Sequence, residues 1–147
     1  MTATWANARP LAPFTGREVA RFWKAVDSKA PDECWLWTRS LSRGYGQFQL
    51  HRGGVWRPAK AHRVAFEMLV GPVPDHLQLD HLCRTPACVN PAHLEPVTNR
   101  ENGLRGNSLP ARNARKTHCQ NGHELTPANT RRSGAHGRRC TVCVGGS

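Results

Sequence analysis

The chain has 147 residues, enough for one modest domain and an appendage, and 38% hydrophobic residues with 13 Gly and 11 Pro permit only a small core. It carries 21 Lys and Arg against 10 Asp and Glu, a net charge of +11, so a polyanion is the expected partner, nucleic acid first. No apolar stretch reaches membrane-spanning length, and the first residues lack the basic start and apolar run of a secretory signal. These features exclude a membrane partner and predict an intracellular, cytoplasmic chain with reduced thiols.

Residues 1–14, with Pro10 and Pro13, show little periodicity and read as a flexible lead-in. Thr15 then begins a capping box with Glu18, and Val19, Phe22, Trp23 and Val26 follow at helical spacing, which predicts a structural helix. Pro31-Asp32 ends it. Cys34–Trp37 reads as a strand, the alternating Gly44–Leu50 as its partner, and Gly53-Gly54 as a turn before Val55-Trp56-Arg57. A second helix runs from Ala59 or Lys60 to about Val70, burying Val64, Ala65, Met68 and Leu69. Leu77–His81 is a short strand. Pro86 and Pro91 force an irregular excursion, and from about Thr98 a short helix carries Glu101 and Asn102.

Residues 106–116 have almost no apolar side chains and read as a solvated basic linker. Thr117–Ser147 holds too few large apolar residues to fold unaided. Nine Lys and Arg against two acids from Asn99 onward place +7 of the +11 in this last third. The expected domains are therefore 1–30 (lead-in and helix), 31–106 (the main domain) and 107–147 (basic linker and C-terminal module).

The densest chemistry lies at residues 80–102. Cys83, Cys88 and His93 are soft ligands suited to zinc; Asp80 and Asn102 offer hard oxygens suited to magnesium; His81 sits between them where a proton acceptor is useful. In the tail, Cys119, His123, Cys140 and Cys143 form a C-x3-H…C-x2-C set that closes a tetrahedral zinc site, with 126–139 long enough for a small hairpin between the pairs. That leaves Cys34, either the fourth ligand beside Cys83, Cys88 and His93 or a small buried strand residue. His62 reads as a packed, hydrogen-bonded residue, and His51, His76, His118 and His136 as surface or loop residues. Trp5, Trp23, Trp35 and Trp37 read as packing residues; Trp56, beside Arg57, stays open as a base-stacking platform.

His81-Leu82-Cys83, Cys88-Val89-Asn90-Pro91, His93-Leu94 and Glu101-Asn102 together resemble the ββα-metal nucleases, the HNH and His-Cys box group common among homing and phage endonucleases. Cys34–Trp37, Gly44-Tyr45-Gly46 and Ala61-His62-Arg63 resemble the upstream half of phage HNH proteins, so the likeness covers roughly residues 20–106. It implies an α+β fold with a small ββα-metal core, a zinc-stabilised loop and a zinc-ribbon-like C-terminal knob. It implies that His81 is the general base, that Asp80 and Asn102 hold a catalytic Mg2+ (or Mn2+), and that Cys34 joins Cys83, Cys88 and His93 on one of two structural Zn2+ ions. His93 stands where many members have Asn. By the same resemblance Arg57 is the arginine at the scissile phosphate, with Arg63 the other candidate, and Asn90 fixes the loop through backbone hydrogen bonds.

The function so implied is a metal-dependent endonuclease of double-stranded DNA in a phage-infected or prophage-bearing host, with monomer or homodimer left open. Against it stand a non-catalytic zinc-stabilised DNA-binding regulator and a phage packaging accessory factor. Asp80, His81 and Asn102 discriminate, because a pure binding module has no use for a hard-metal site.

Overall fold

The computed structural model of the protein describes residues 10, 11, 13–134 and 137–143; Trp5, His136 and most of the expected lead-in lie outside them. The protein is a small mixed α/β chain that divides into two compact units, Met1–Thr98 and Asn99–Ser147. The division falls before the expected 106/107 boundary, and the first helix belongs to the first unit.

In the first unit, α1 (Gly16–Trp23) starts where the capping box predicts. Thr15 Oγ1 accepts the Glu18 amide at 3.3 Å, and Glu18 Oε2 accepts the Thr15 amide at 3.0 Å. The helix stops at Trp23, so Val26 lies in strand β1 (Val26–Asp27) and not on the helix face. Strand β2 (Leu36–Trp37) pairs with β1. It does not pair with the alternating segment, a correction to the expected hairpin. That segment, β4 (Tyr45–Arg52), lies between β3 (Leu41–Ser42) and β5 (Val55–Lys60), because Arg43-Gly44 and Gly53-Gly54 make tight turns on either side of it, all four at positive φ.

Phe22, Trp37 and Phe48 meet at the centre, with ring centroids 5.2, 5.3 and 6.0 Å apart. Gly46 lets β4 approach them: an added Cβ would sit 2.7 Å from Trp37 and 2.8 Å from Ala61. Leu11 and Phe14 pack on this core, and the Leu11 amide donates to Glu67 Oε2 at 2.7 Å, so this part of the expected lead-in is docked.

Helix α2 (Ala61–Leu69) buries Val64 and Ala65 as expected, but Leu69 is 54% exposed. Phe66 and Glu67 are buried in addition. Glu67 is tolerated there because Arg63 reaches it at 2.8 Å. Strands β6 (Leu77–His81) and β7 (Leu94–Thr98) form an antiparallel pair joined by a long loop, whose last turn, Pro91–His93, is a 3-10 turn. Phe66, Val73 and Leu94 make a second small core beside them.

The second unit opens with α3 (Asn99–Arg105), the short helix expected after Thr98. The expected linker is in part a helix, α4 (Leu109–Arg115). Ser108 caps it by accepting the Ala111 amide at 3.4 Å, Pro110 fits its first turn, and Ala111 is fully buried. Arg115 donates to the carbonyls of Leu104 and Gly106 at 3.0 and 3.2 Å, closing the C-terminal end of α3. Strands β8 (Thr130–Ser133) and β9 (Gly137–Cys140) form the expected hairpin.

Candidate active site and metal centres

Strand β6 delivers Asp80 and His81 at its end, both buried, at 5% and 6% exposure. His81 Nε2 lies 3.0 Å from the Cys88 carbonyl in the loop between the strands. A carbonyl can only accept, so the proton is assigned to Nε2 and Nδ1 is left as the lone-pair acceptor. Burial pushes the His81 pKa down; the Cys88 hydrogen bond and the Asp80 charge oppose that, and Arg84 adds to it. The ring is wedged by His62, edge-on at 4.7 Å between centroids, and by Tyr45 at 5.8 Å. Asp80 Oδ1 accepts from Arg84 Nη1 at 2.9 Å, and Arg84 holds a left-handed backbone with φ of 58°.

The loop that supplies the Cys88 carbonyl also carries a cluster of ligand atoms. Cys34, Cys83, Cys88 and His93 each offer one atom, all within 4.8 Å of one another. His93 Nδ1 is 3.5 Å from Cys34 Sγ and 3.6 Å from Cys88 Sγ. Tetrahedral bonds of roughly 2.3 Å to sulfur and 2.0–2.1 Å to nitrogen need such atoms about 3.5–3.8 Å apart, which these two distances satisfy. His93 Nε2 meets the Asp32 carbonyl at 3.1 Å, which fixes the tautomer with Nδ1 toward the sulfurs.

Cys34 reaches this cluster because β2 runs along the loop. The Trp37 amide donates to Ala87 and the Val89 amide to Trp35, at 2.9 and 2.8 Å. Asn90, 2% exposed, locks the other side, donating to the Pro31 and Glu33 carbonyls at 2.8 and 2.7 Å and accepting the Ala92 amide at 3.0 Å. Burial pushes the Cys88 thiol up to about 12; amide hydrogen bonds from Asn90 and Trp35 pull the other way, and Cys34 and Cys83 push it further up. A cation bound among these sulfurs would offset that cost.

The second unit contains the other set. Cys119, His123, Cys140 and Cys143 also lie within 4.8 Å of one another. His123 Nδ1 is 3.5, 3.3 and 3.9 Å from the Cys119, Cys143 and Cys140 sulfurs. The first pair is held by a tight turn, in which the Cys119 amide donates to the His123 carbonyl at 2.9 Å and Gly122 takes a φ of 79°. Cys140 comes from the end of β9. Both four-residue sets expected from the sequence are therefore brought together.

The other site residues stand differently. Asn102 is half-buried on α3, in the second unit. Arg57 is exposed on β5, and its side chain makes no hydrogen bond or ion pair with a described residue. Arg63 is engaged by Glu67. The arginine that the structure sets beside Asp80 is Arg84, which sequence reasoning missed; its only signal was position, four residues after Asp80 on a turn. His62 was read as hydrogen-bonded. It is packed, at 8% exposure, but its Nδ1 has no hydrogen-bond partner among the described residues, and burial first, then the charges of His81, Lys60 and Arg63, push its pKa down to about 3.

Residues 59–104 match a family described as HNH endonuclease. The chain is 30% identical over 66 residues to the uncharacterized gene 5.3 protein of Enterobacteria phage T3, covering 44% of this chain and 65% of that protein. It is 35% identical over 72 residues to protein 7.7 of Escherichia phage T7, covering 48% of this chain and 52% of that one. The matches thus span about half to two thirds of the curated relatives. No solved structure matches. Among the described residues no helix is long and apolar enough to cross a membrane.

Proposed function

We propose, from the match of residues 59–104 to a family described as HNH endonuclease, that this chain is a metal-dependent endonuclease of double-stranded DNA. The observation that carries the proposal is the hydrogen bond from His81 Nε2 to the Cys88 carbonyl, which leaves Nδ1 unprotonated and the ring fixed. In this reading His81 takes a proton from the attacking water through Nδ1. Burial keeps the ring neutral and ready for that step. Asp80 would contribute an oxygen to one hard divalent cation, Mg2+ or Mn2+, for which the family resemblance offers Asn102 as a further ligand. When bound, that cation supplies Lewis-acid stabilisation of the phosphoryl and leaving oxygens. The two Cys/His sets hold structural zinc, because thiolate and imidazole donors in a closed set of four favour that ion.

Arg84 replaces Arg57 as our candidate for the phosphate, on the strength of its contact with Asp80 and its 56% exposed side chain. The reaction belongs to a phage-infected or prophage-bearing cell, as the phage relatives suggest.

Plasmid nicking with and without Mg2+ tests this reading. Magnesium-dependent nicking, lost in His81→Ala, is the expected result. Duplex binding without nicking under any divalent cation would replace it with the non-catalytic zinc-stabilised DNA-binding regulator.

A further inference from the structure

We propose that Arg131 and Arg139, facing each other across the β8–β9 hairpin, form a phosphate clamp that grips the backbone of duplex DNA, while their neighbour Arg138 is structural. The proposal rests on the nuclease reading only for the identity of the polyanion.

The four arginines of the hairpin look equivalent in sequence, two adjacent pairs on two strands. The register separates them. Arg131 pairs with Arg139, and Arg132 with Arg138. Successive side chains on a strand point to opposite faces, so Arg132 and Arg138 share the face of Thr130 and Cys140, and Arg131 and Arg139 share the other. The first face is turned inward. Cys140 on it is 5% exposed and belongs to the metal cluster. Arg138 on it donates through Nη2 to the carbonyls of Asn113, Ala114 and Lys116, the last two at 3.2 and 2.9 Å. Those are carbonyls of the last turn and C-cap of α4, so Arg138 caps that helix and ties the hairpin to it.

The second face has no such use. Arg131 and Arg139 are both exposed, and neither side chain makes a hydrogen bond or ion pair with a described residue. Directly opposed residues in an antiparallel pair stand with Cβ atoms about 4.5–5.5 Å apart, where like charges destabilise the strands. No acid compensates: Glu124 is the only acidic residue from 102 to 147.

Two arginines at directly opposed strand positions can bring their guanidinium forks to one phosphodiester, and an anion between them turns their repulsion into attraction. The metal set at one end of β9 and the Arg138 cap hold the pair in place beforehand, which lowers the ordering cost of binding. Contacts of this kind go to the backbone and not to base edges, so they add affinity without sequence preference.

The test uses the full chain with its zinc, in binding titrations against a short duplex at several salt concentrations without added divalent cation. Arg131→Gln/Arg139→Gln should lower the slope of log affinity against log salt by about 1.8, two phosphate contacts at roughly 0.9 each. Zinc content should be unchanged and the melting temperature should not fall, since the variant removes a like-charge pair. Arg138→Gln should instead lower the melting temperature and loosen the tail zinc. A double variant with the wild-type slope and affinity, from a chain that nicks plasmid, overturns the clamp alone. A wild-type chain that does not bind duplex overturns the clamp and the nuclease reading together. Loss of slope in Arg138→Gln with unchanged stability would overturn the division of roles. Tighter, equally arginine-dependent binding to a structured RNA would overturn the choice of duplex DNA.

Discussion

Cys88 acts on His81 and on the metal cluster through two different atoms. Its carbonyl oxygen accepts from His81 Nε2 at 3.0 Å, and its sulfur lies 3.6 Å from His93 Nδ1. The loop that gathers Cys34, Cys83, Cys88 and His93 therefore also sets the tautomer of the proposed base. His81→Ala should lower nicking roughly 10²–10⁴-fold, the usual range for a positioned base, with duplex affinity retained. A folded His81→Ala chain that nicks at the wild-type rate would remove His81 from the chemistry.

Metal content gives the second prediction. Two sets of four ligand atoms, each within 4.8 Å, should yield two zinc ions per chain by elemental analysis. Cys34→Ser should reduce the content toward one and depress nicking, because the Cys88 carbonyl is no longer held in place. Cys119→Ser should also reduce it toward one, yet spare His81. Equal loss of nicking at saturating DNA in both variants would argue against the link through Cys88.

Much of this was legible in the sequence because ligand chemistry leaves few choices. The C-x3-H…C-x2-C tail set and the Thr15 capping box are local patterns, and both formed. The fourth ligand, Cys34, followed from the cysteines left over and was supported by resemblance, but local spacing did not show it, since it lies 49 positions before Cys83 and the β2-to-loop pairing that joins them is long-range. The partner of β2 was misread for the same reason, as a two-residue strand carries no pairing signal of its own. Helix α4 was hidden by a polar composition. Its cap at Ser108 and the arginines that close neighbouring helix ends stabilise it in place of a wide apolar face. Arg84 and Arg138 could not be told from surface arginines, because what distinguishes them is the carboxylate or carbonyls they meet in the fold.

Arg84 supplies the third prediction. Its guanidinium is 2.9 Å from Asp80 Oδ1, so it competes with any cation for that oxygen. The arginine is 56% exposed, which limits such a pair to about 1 kcal/mol, or roughly fivefold in an equilibrium. Arg84→Gln should therefore tighten the apparent affinity for Mg2+ by up to about fivefold. If Arg84 also meets the scissile phosphate, maximal nicking falls in the same variant. An unchanged magnesium titration would show that the pair opens at no cost, and an unchanged maximum would take Arg84 away from the phosphate.

Acid should erode the stability of the first unit through His62 and Glu18, over two overlapping pH ranges. The folded chain holds His62 at about 3 against an ordinary 6.5, first because burial disfavours the charged ring. As pH falls below 6.5 the unfolded chain binds a proton that the folded chain refuses, so stability is lost steadily down to about 3, at up to about 1.4 kcal/mol per pH unit. Glu18 acts lower on the scale. Burial works to raise its carboxyl, but the Thr15 amide, Arg52 and the His51 amide outweigh that and bring it from 4.5 to about 2. Its contribution is complete above 4.5 and disappears as pH falls through about 2. His62→Gln should flatten the melting temperature between pH 6.5 and 4.5, and Glu18→Gln should flatten it below 4.5 while lowering it at neutral pH. Protonation of the metal ligands affects all three chains alike, so the differences from wild type isolate the two side chains. Curves that run parallel to wild type at every pH would mean that neither group sets the acid limit.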